Sequence, residues 1–145
     1  MNAAASATAS AVTFVWLGMV LAISFLEAPL KFRAPGVTVR IGLGIGRLVF
    51  RALNLAECVL ATVVVVAVAA GDAPGRAIGW TVAAMVLLVG QLAVIRPRLN
   101  RRSDRVLAGE DLPRSRGHLF YVVFEAAKVV ALLGLGVTLL TLLRR

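Results

Sequence analysis

Four long apolar stretches, at residues 11–30, 46–70, 77–95 and 119–143, limit what this chain can fold into. Each is close to or above the roughly 20 helical residues, at about 1.5 Å apiece, that cross the hydrocarbon core of a bilayer. Of the 145 residues, 60% are hydrophobic, against about 45–50% in soluble domains. That balance argues against a water-soluble enzyme and places the chain in lipid. The stretches are also punctuated. Pro29 and Ala34-Pro35-Gly36 close the first, Gly71-Asp72-Ala73-Pro74-Gly75 separates the second from the third, and Arg96-Pro97 stops the third, since proline lacks the N–H a helix interior needs. Short hairpins set successive helices antiparallel. The expected fold is therefore all-α: an integral membrane four-helix antiparallel bundle, residues 1–145 forming one domain, with connections at 31–45 and 96–118. Residues 1–10 are small and polar without a basic leader, so the first stretch reads as an uncleaved span rather than a secretory signal.

The cations orient the bundle. Lys31, Arg33, Arg40, Arg47 and Arg51 fall in or near the first connection, and Arg96, Arg98, Arg101, Arg102, Arg105, Arg114 and Arg116 in the third, twelve of the 16 Lys and Arg. Only Arg76, Arg144 and Arg145 fall on the other side. The positive-inside rule then puts both connections in the cytoplasm and both termini outside it, in a cell inner membrane. The net charge of +9 reads as a topology signal and a contact with anionic headgroups. Nucleic-acid binding is set aside, because the third connection has no interleaved aromatics. A single cysteine, Cys58, excludes an intrachain disulfide, a paired-thiol redox centre and a cysteine-ligated zinc site.

Ionisable residues inside the spans carry the functional signal. In the fourth span His118, Tyr121, Glu125 and Lys128 follow at steps of 3, 4 and 3 on one helical stripe. In the second, Arg47, Arg51, Asn54 and Glu57 follow at 4, 3 and 3, within about a third of the circumference. The first adds Ser24, Glu27 and Lys31, and the third Gln91. Antiparallel order puts Glu27, Lys31, Arg51, Asn54, Glu57, Gln91, Tyr121, Glu125 and Lys128 in one half of the bilayer, with Glu57 and Lys128 about 15 Å inside their helix starts. A charge near the bilayer centre costs on the order of 3 kcal/mol to insert. Glu57, Glu125 and Lys128 are therefore expected to pair or to line a hydrated chamber, with Lys128 bridging the glutamates and Arg51 as a second cation. The plain alternative is that these residues hold the helices in register.

Other signals are weaker. Gly42-Leu43-Gly44-Ile45-Gly46 has no preceding strand and no Walker lysine, so it is not a phosphate loop. Gly42 with Gly46, and Gly134-Leu135-Gly136, instead suit close helix contact. No cofactor is expected. Glu27, Glu57, His118 and Glu125 form the one alternative metal set, though without the Glu-x-x-His spacing of di-iron bundles. Trp16 and Trp80 read as interfacial belt anchors.

Trp16-Leu17-Gly18, Ser24-Phe25, Glu27-Ala28-Pro29-Leu30-Lys31-Phe32, Gly46-Arg47 with Phe50, and Asn54-Leu55-Ala56-Glu57 form a distinctive set. Together with Leu99-Asn100-Arg101-Arg102-Ser103-Asp104 and the stripe of the fourth span, it resembles the transmembrane protein 205-like domain family. The resemblance implies a four-span bundle with a polar site and implies no reaction. The leading expectation is a chamber that binds or transports a small polar or charged solute, linked to a proton and assisted by a homo-oligomer or a membrane partner. The alternatives are a membrane enzyme acting on a lipid or quinone and a structural or accessory subunit of a membrane complex.

Overall fold

The computed structural model describes the backbone of residues 1–110 and 117–143, and the side chains of all of these except 117 and 118. Four helices account for it: α1 (Ala3–Arg33), α2 (Val39–Ala70) and α3 (Gly75–Leu107), and α4 (Gly117–Leu143). Among the described residues there is no strand. All four helices are long and apolar enough to cross a membrane. The chain is an all-α four-helix bundle whose length and composition are those of a multi-pass membrane protein.

α1 starts well ahead of residue 11. The Asn2 side chain caps it by accepting the Ala5 N–H at 2.8 Å, and the following alanines have the highest helix propensity. The start of α1 also has a partner, because Gly71 in the α2–α3 turn leaves room for Met1 and Ala5.

Two prolines that should end helices do not. α1 widens to a π-helix over Leu21–Glu27 and runs on through Ala28–Leu30 to a 3-10 turn at Lys31–Arg33. α3 widens over Gln91–Ile95 and continues as Arg96–Leu107. In both, the residue before proline donates its N–H five residues back, Ala28 to Ile23 and Arg96 to Gln91. A proline ring in a regular helix collides with the carbonyl four residues earlier. One wide turn moves that carbonyl aside, so the helix survives. The segment from Arg96 to Leu107, expected as connection, is thus helical, while residues 111–116 of that connection lie outside the described residues.

α4 packs against both α1 and α3, α1 also packs against α2, and α2 lies diagonally across from α4. Antiparallel order brings the ends of α1 and α3 beside the starts of α2 and α4, where Arg47 meets Asp104 and Ser24 meets Tyr121. We call this the basic end, and the end with the α2–α3 turn the hairpin end. The hairpin half holds the apolar core, with Val64, Leu132, Leu135 and Leu139 fully buried. Gly134 admits the Trp80 indole and Gly136 the Phe14 ring. At most 33% of any apolar span is buried inside the bundle; side chains such as Leu48, Leu55 and Val86 point outward, as a lipid-facing surface requires.

Candidate functional site

At the bundle centre all four helices contribute one polar side chain or more. Glu57 from α2, Gln91 from α3, and Glu125 and Lys128 from α4 are each 0% exposed. Lys128 extends across the axis to the diagonal helix. Its ammonium donates to Glu57 Oε1 at 2.5 Å, to the Gln91 side-chain carbonyl at 2.7 Å and to Glu125 Oε1 at 3.1 Å, which uses all three of its N–H groups. The Gln91 amide donates in turn to Glu125. From α1, Trp16 Nε1 donates to Glu57 Oε1 at 3.0 Å. Against one ammonium stand two carboxylates, and the second oxygen of each, Glu57 Oε2 and Glu125 Oε2, is buried without a hydrogen-bond partner among the described residues.

On the hairpin side of this cluster, Ser6, Ser10 and Thr13 lie buried along the inner face of α1, and none of their hydroxyls has a partner among the described residues. Thr62, Thr81 and Thr138 behave differently, each donating to the carbonyl four residues earlier. The three unpartnered hydroxyls follow at steps of 4 and 3, and Trp16 comes three residues later, leading down one face of α1 to Glu57.

On the basic side a second group forms around Tyr121, which is 3% exposed. Its hydroxyl lies 3.1 Å from Ser24 Oγ and accepts from Arg96 at 3.3 Å. The Arg96 guanidinium sits 4.2 Å from the Phe50 ring centre and 4.9 Å from that of Tyr121, and the two rings meet edge to face. Beyond this group opens a cavity of about 530 Å³.

The sequence-predicted residues therefore divide. Glu57, Glu125 and Lys128 meet at the centre. Tyr121 belongs to the basic-side group and also interacts with Glu125 of the central one. Glu27 is half-buried and pairs with Lys31 at 3.3 Å. Asn54 flanks the inner face, with its side-chain oxygen buried and unpartnered among the described residues. Arg51 is exposed on the outer face of α2 and is no second cation for the cluster. At about 100° per residue, Arg51 and Glu57 stand about 120° apart, on opposite edges of the predicted stripe. The inner face of α2, marked by Gly46, Leu53, Glu57, Ala61 and Val64, takes only the Glu57 edge.

Three contributors were misread or undervalued. Trp16 is not a belt anchor, being 0% exposed and bonded to Glu57. The sequence did hold a signal for it, since Ser6, Ser10 and Thr13 place small and polar residues on its face. Arg96, expected in a solvated connection, is 8% exposed, because the wide turn before Pro97 carries it onto the inner face; nothing local in the sequence marks that. Gln91 was placed in the polar half without a role, and it links Lys128 to Glu125. Gly42 and Gly46 receive Phe32 and Lys31 from the end of α1 rather than the backbone of another helix. Among the described residues no three His, Cys, Asp or Glu side chains gather as a metal set would; the side chain of His118, a member of the alternative set, lies outside them.

Searches against protein-family models, curated proteins and solved structures found no match to this chain.

Proposed function

We propose that this chain is a multi-pass inner-membrane protein that binds or moves a small charged solute together with a proton, and that Glu57, Lys128 and Glu125 are its proton-handling centre. The observation that carries this reading is the charge count at zero exposure: one ammonium, two carboxylates, and one unpartnered oxygen on each carboxylate. Burying an unbalanced charge is costly. The excess negative charge is offset by a proton on either glutamate or by the attraction of the nearby Arg96, and taking up or losing a proton changes the net charge of the site by one. The closed packing leaves Lys128 no free N–H for a solute, whereas a proton needs no room. The stripe of unpartnered hydroxyls on α1 supports a hydrated approach from the hairpin end. The twelve cations support placing the basic end in the cytoplasm, and the motifs around Trp16, Pro29 and Glu57 support membership of the transmembrane protein 205-like domain family.

The complete burial of the cluster also supports a second reading, a structural clamp joining four helices. Reconstitution into liposomes loaded with a pH-sensitive dye separates the two. Proton flux after a pH jump is expected in the wild-type protein and is lost in Glu57→Gln and Glu125→Gln, both retaining their helical circular dichroism. Absence of flux in the wild type, or unchanged flux in both variants with only a lowered melting temperature, would overturn the proton reading in favour of the clamp.

A further inference from the structure

The cavity at the basic end differs in character from the central cluster, and its walls say what it takes. It lies where α1 ends, α2 begins, α3 ends and α4 begins, and its described lining residues include four cations, Lys31, Arg47, Arg96 and Arg102, and no Asp or Glu. Among the described residues Lys31 has Glu27 beside it and Arg47 has Asp104. Arg96 forms no ion pair among them. It is buried to 92% of its surface, with 8% exposed. Its polar contacts among the described residues come down to the Tyr121 hydroxyl, and its Nε–H has no acceptor. The faces of Phe50 and Tyr121 attract the guanidinium but accept no N–H in its plane. A buried cation in this state lacks the oxyanion its planar donor set is shaped to hold. The remaining wall is largely apolar, with side chains such as Leu99 and Val106, and the volume falls within the range usual for small-ligand sites.

We infer that this cavity is a binding site for a phosphate or carboxylate group carried on an apolar body, with the Arg96 guanidinium as its anchor and Lys31 and Arg47 at its sides. The inference goes beyond the proton reading and does not depend on it, because none of the central cluster lines the cavity. Two sources share the ligand chemistry: a free amphiphilic anion entering from the aqueous phase, and the headgroup of an anionic lipid entering from the bilayer.

The experiment uses the full chain purified in a nonionic detergent and then placed in nanodiscs. Octyl phosphate and octanoate are expected to raise the melting temperature saturably, and octyltrimethylammonium, the same tail with a cation, is not. The apparent affinity for octyl phosphate should fall at least tenfold in Arg96→Met and about two- to threefold in Arg47→Gln, whose exposed side chain makes it safe for folding. Should Arg96→Met fail to fold, Arg47→Gln and the cation control still decide. In nanodiscs of phosphatidylglycerol, loss of the octyl phosphate response identifies a lipid headgroup as the occupant, and its retention identifies a free anion; both support the site. No saturable response in the wild type, an equal response to the cation, or wild-type affinity in Arg96→Met would each overturn it.

Discussion

Two buried cations, Lys128 at the centre and Arg96 toward the basic end, sit in the same bundle under opposite conditions. Lys128 is fully buried and meets two carboxylates and an amide carbonyl, so each of its donors has an acceptor, on its own helix, a neighbouring one or the diagonal one. Arg96 is nearly as buried yet meets a hydroxyl and two aromatic faces, with a donor left over. The difference teaches that burial of charge alone does not define a site. A charge whose partners come from the fold belongs to an internal network, where the open question is the proton. A charge whose partner is missing from the fold points outward, to a ligand.

The largest expected effect sharpens the first half of that comparison. Lys128→Met leaves Glu57 and Glu125 without the counter-charge bonded to them, and removing one partner of a buried ion pair costs about 3–5 kcal/mol. Denaturant unfolding in detergent micelles, followed by circular dichroism, should read that loss, and Lys128→Met combined with Glu57→Gln should recover part of it. Trp16→Phe keeps the ring in the core but removes the N–H donated to Glu57, and a hydrogen bond to a charged group contributes about 1.5–3 kcal/mol; the same unfolding curves check it. Arg96→Met should cost within about 1 kcal/mol, since Arg96 forms no direct ion pair among the described residues and an apolar side chain of similar length spares its desolvation. A loss equal to that of Lys128→Met would break the comparison, by showing that Arg96 already has its counter-charge. The smallest effect belongs to Arg51→Gln, an exposed side chain with no ion pair among the described residues, expected within about 0.5 kcal/mol of wild type and with no change in the melting temperature shift produced by octyl phosphate.

How much of this was legible in the sequence follows from the range over which each signal acts. Hydrophobic runs and turn residues are local, so the four helices and their antiparallel order could be read directly. Glu125 and Lys128 are three residues apart on one helix, and their meeting also follows from local periodicity. Glu57 lies on the same kind of stripe, but which edge of the stripe faces inward depends on neighbouring helices, and this is where Arg51 was misplaced. The helix ends at Pro29 and Pro97 were misread for a related reason. Proline sets a local penalty, and a wide turn held by packing on both sides removes it.

The amino-acid order alone determined that this chain makes four long apolar helices with acidic and basic side chains inside them, because apolar length and helical period are properties of contiguous residues. Only the tertiary structure decided that Trp16 bonds Glu57 across 41 positions, that Lys128 reaches Glu57 across 71, and that Arg96 is buried beside Tyr121 without an ion pair among the described residues. Those pairings depend on how helices rotate about their own axes when packed. That rotation is set by side-chain volumes summed over the whole bundle and by the two wide turns, and no single segment carries it.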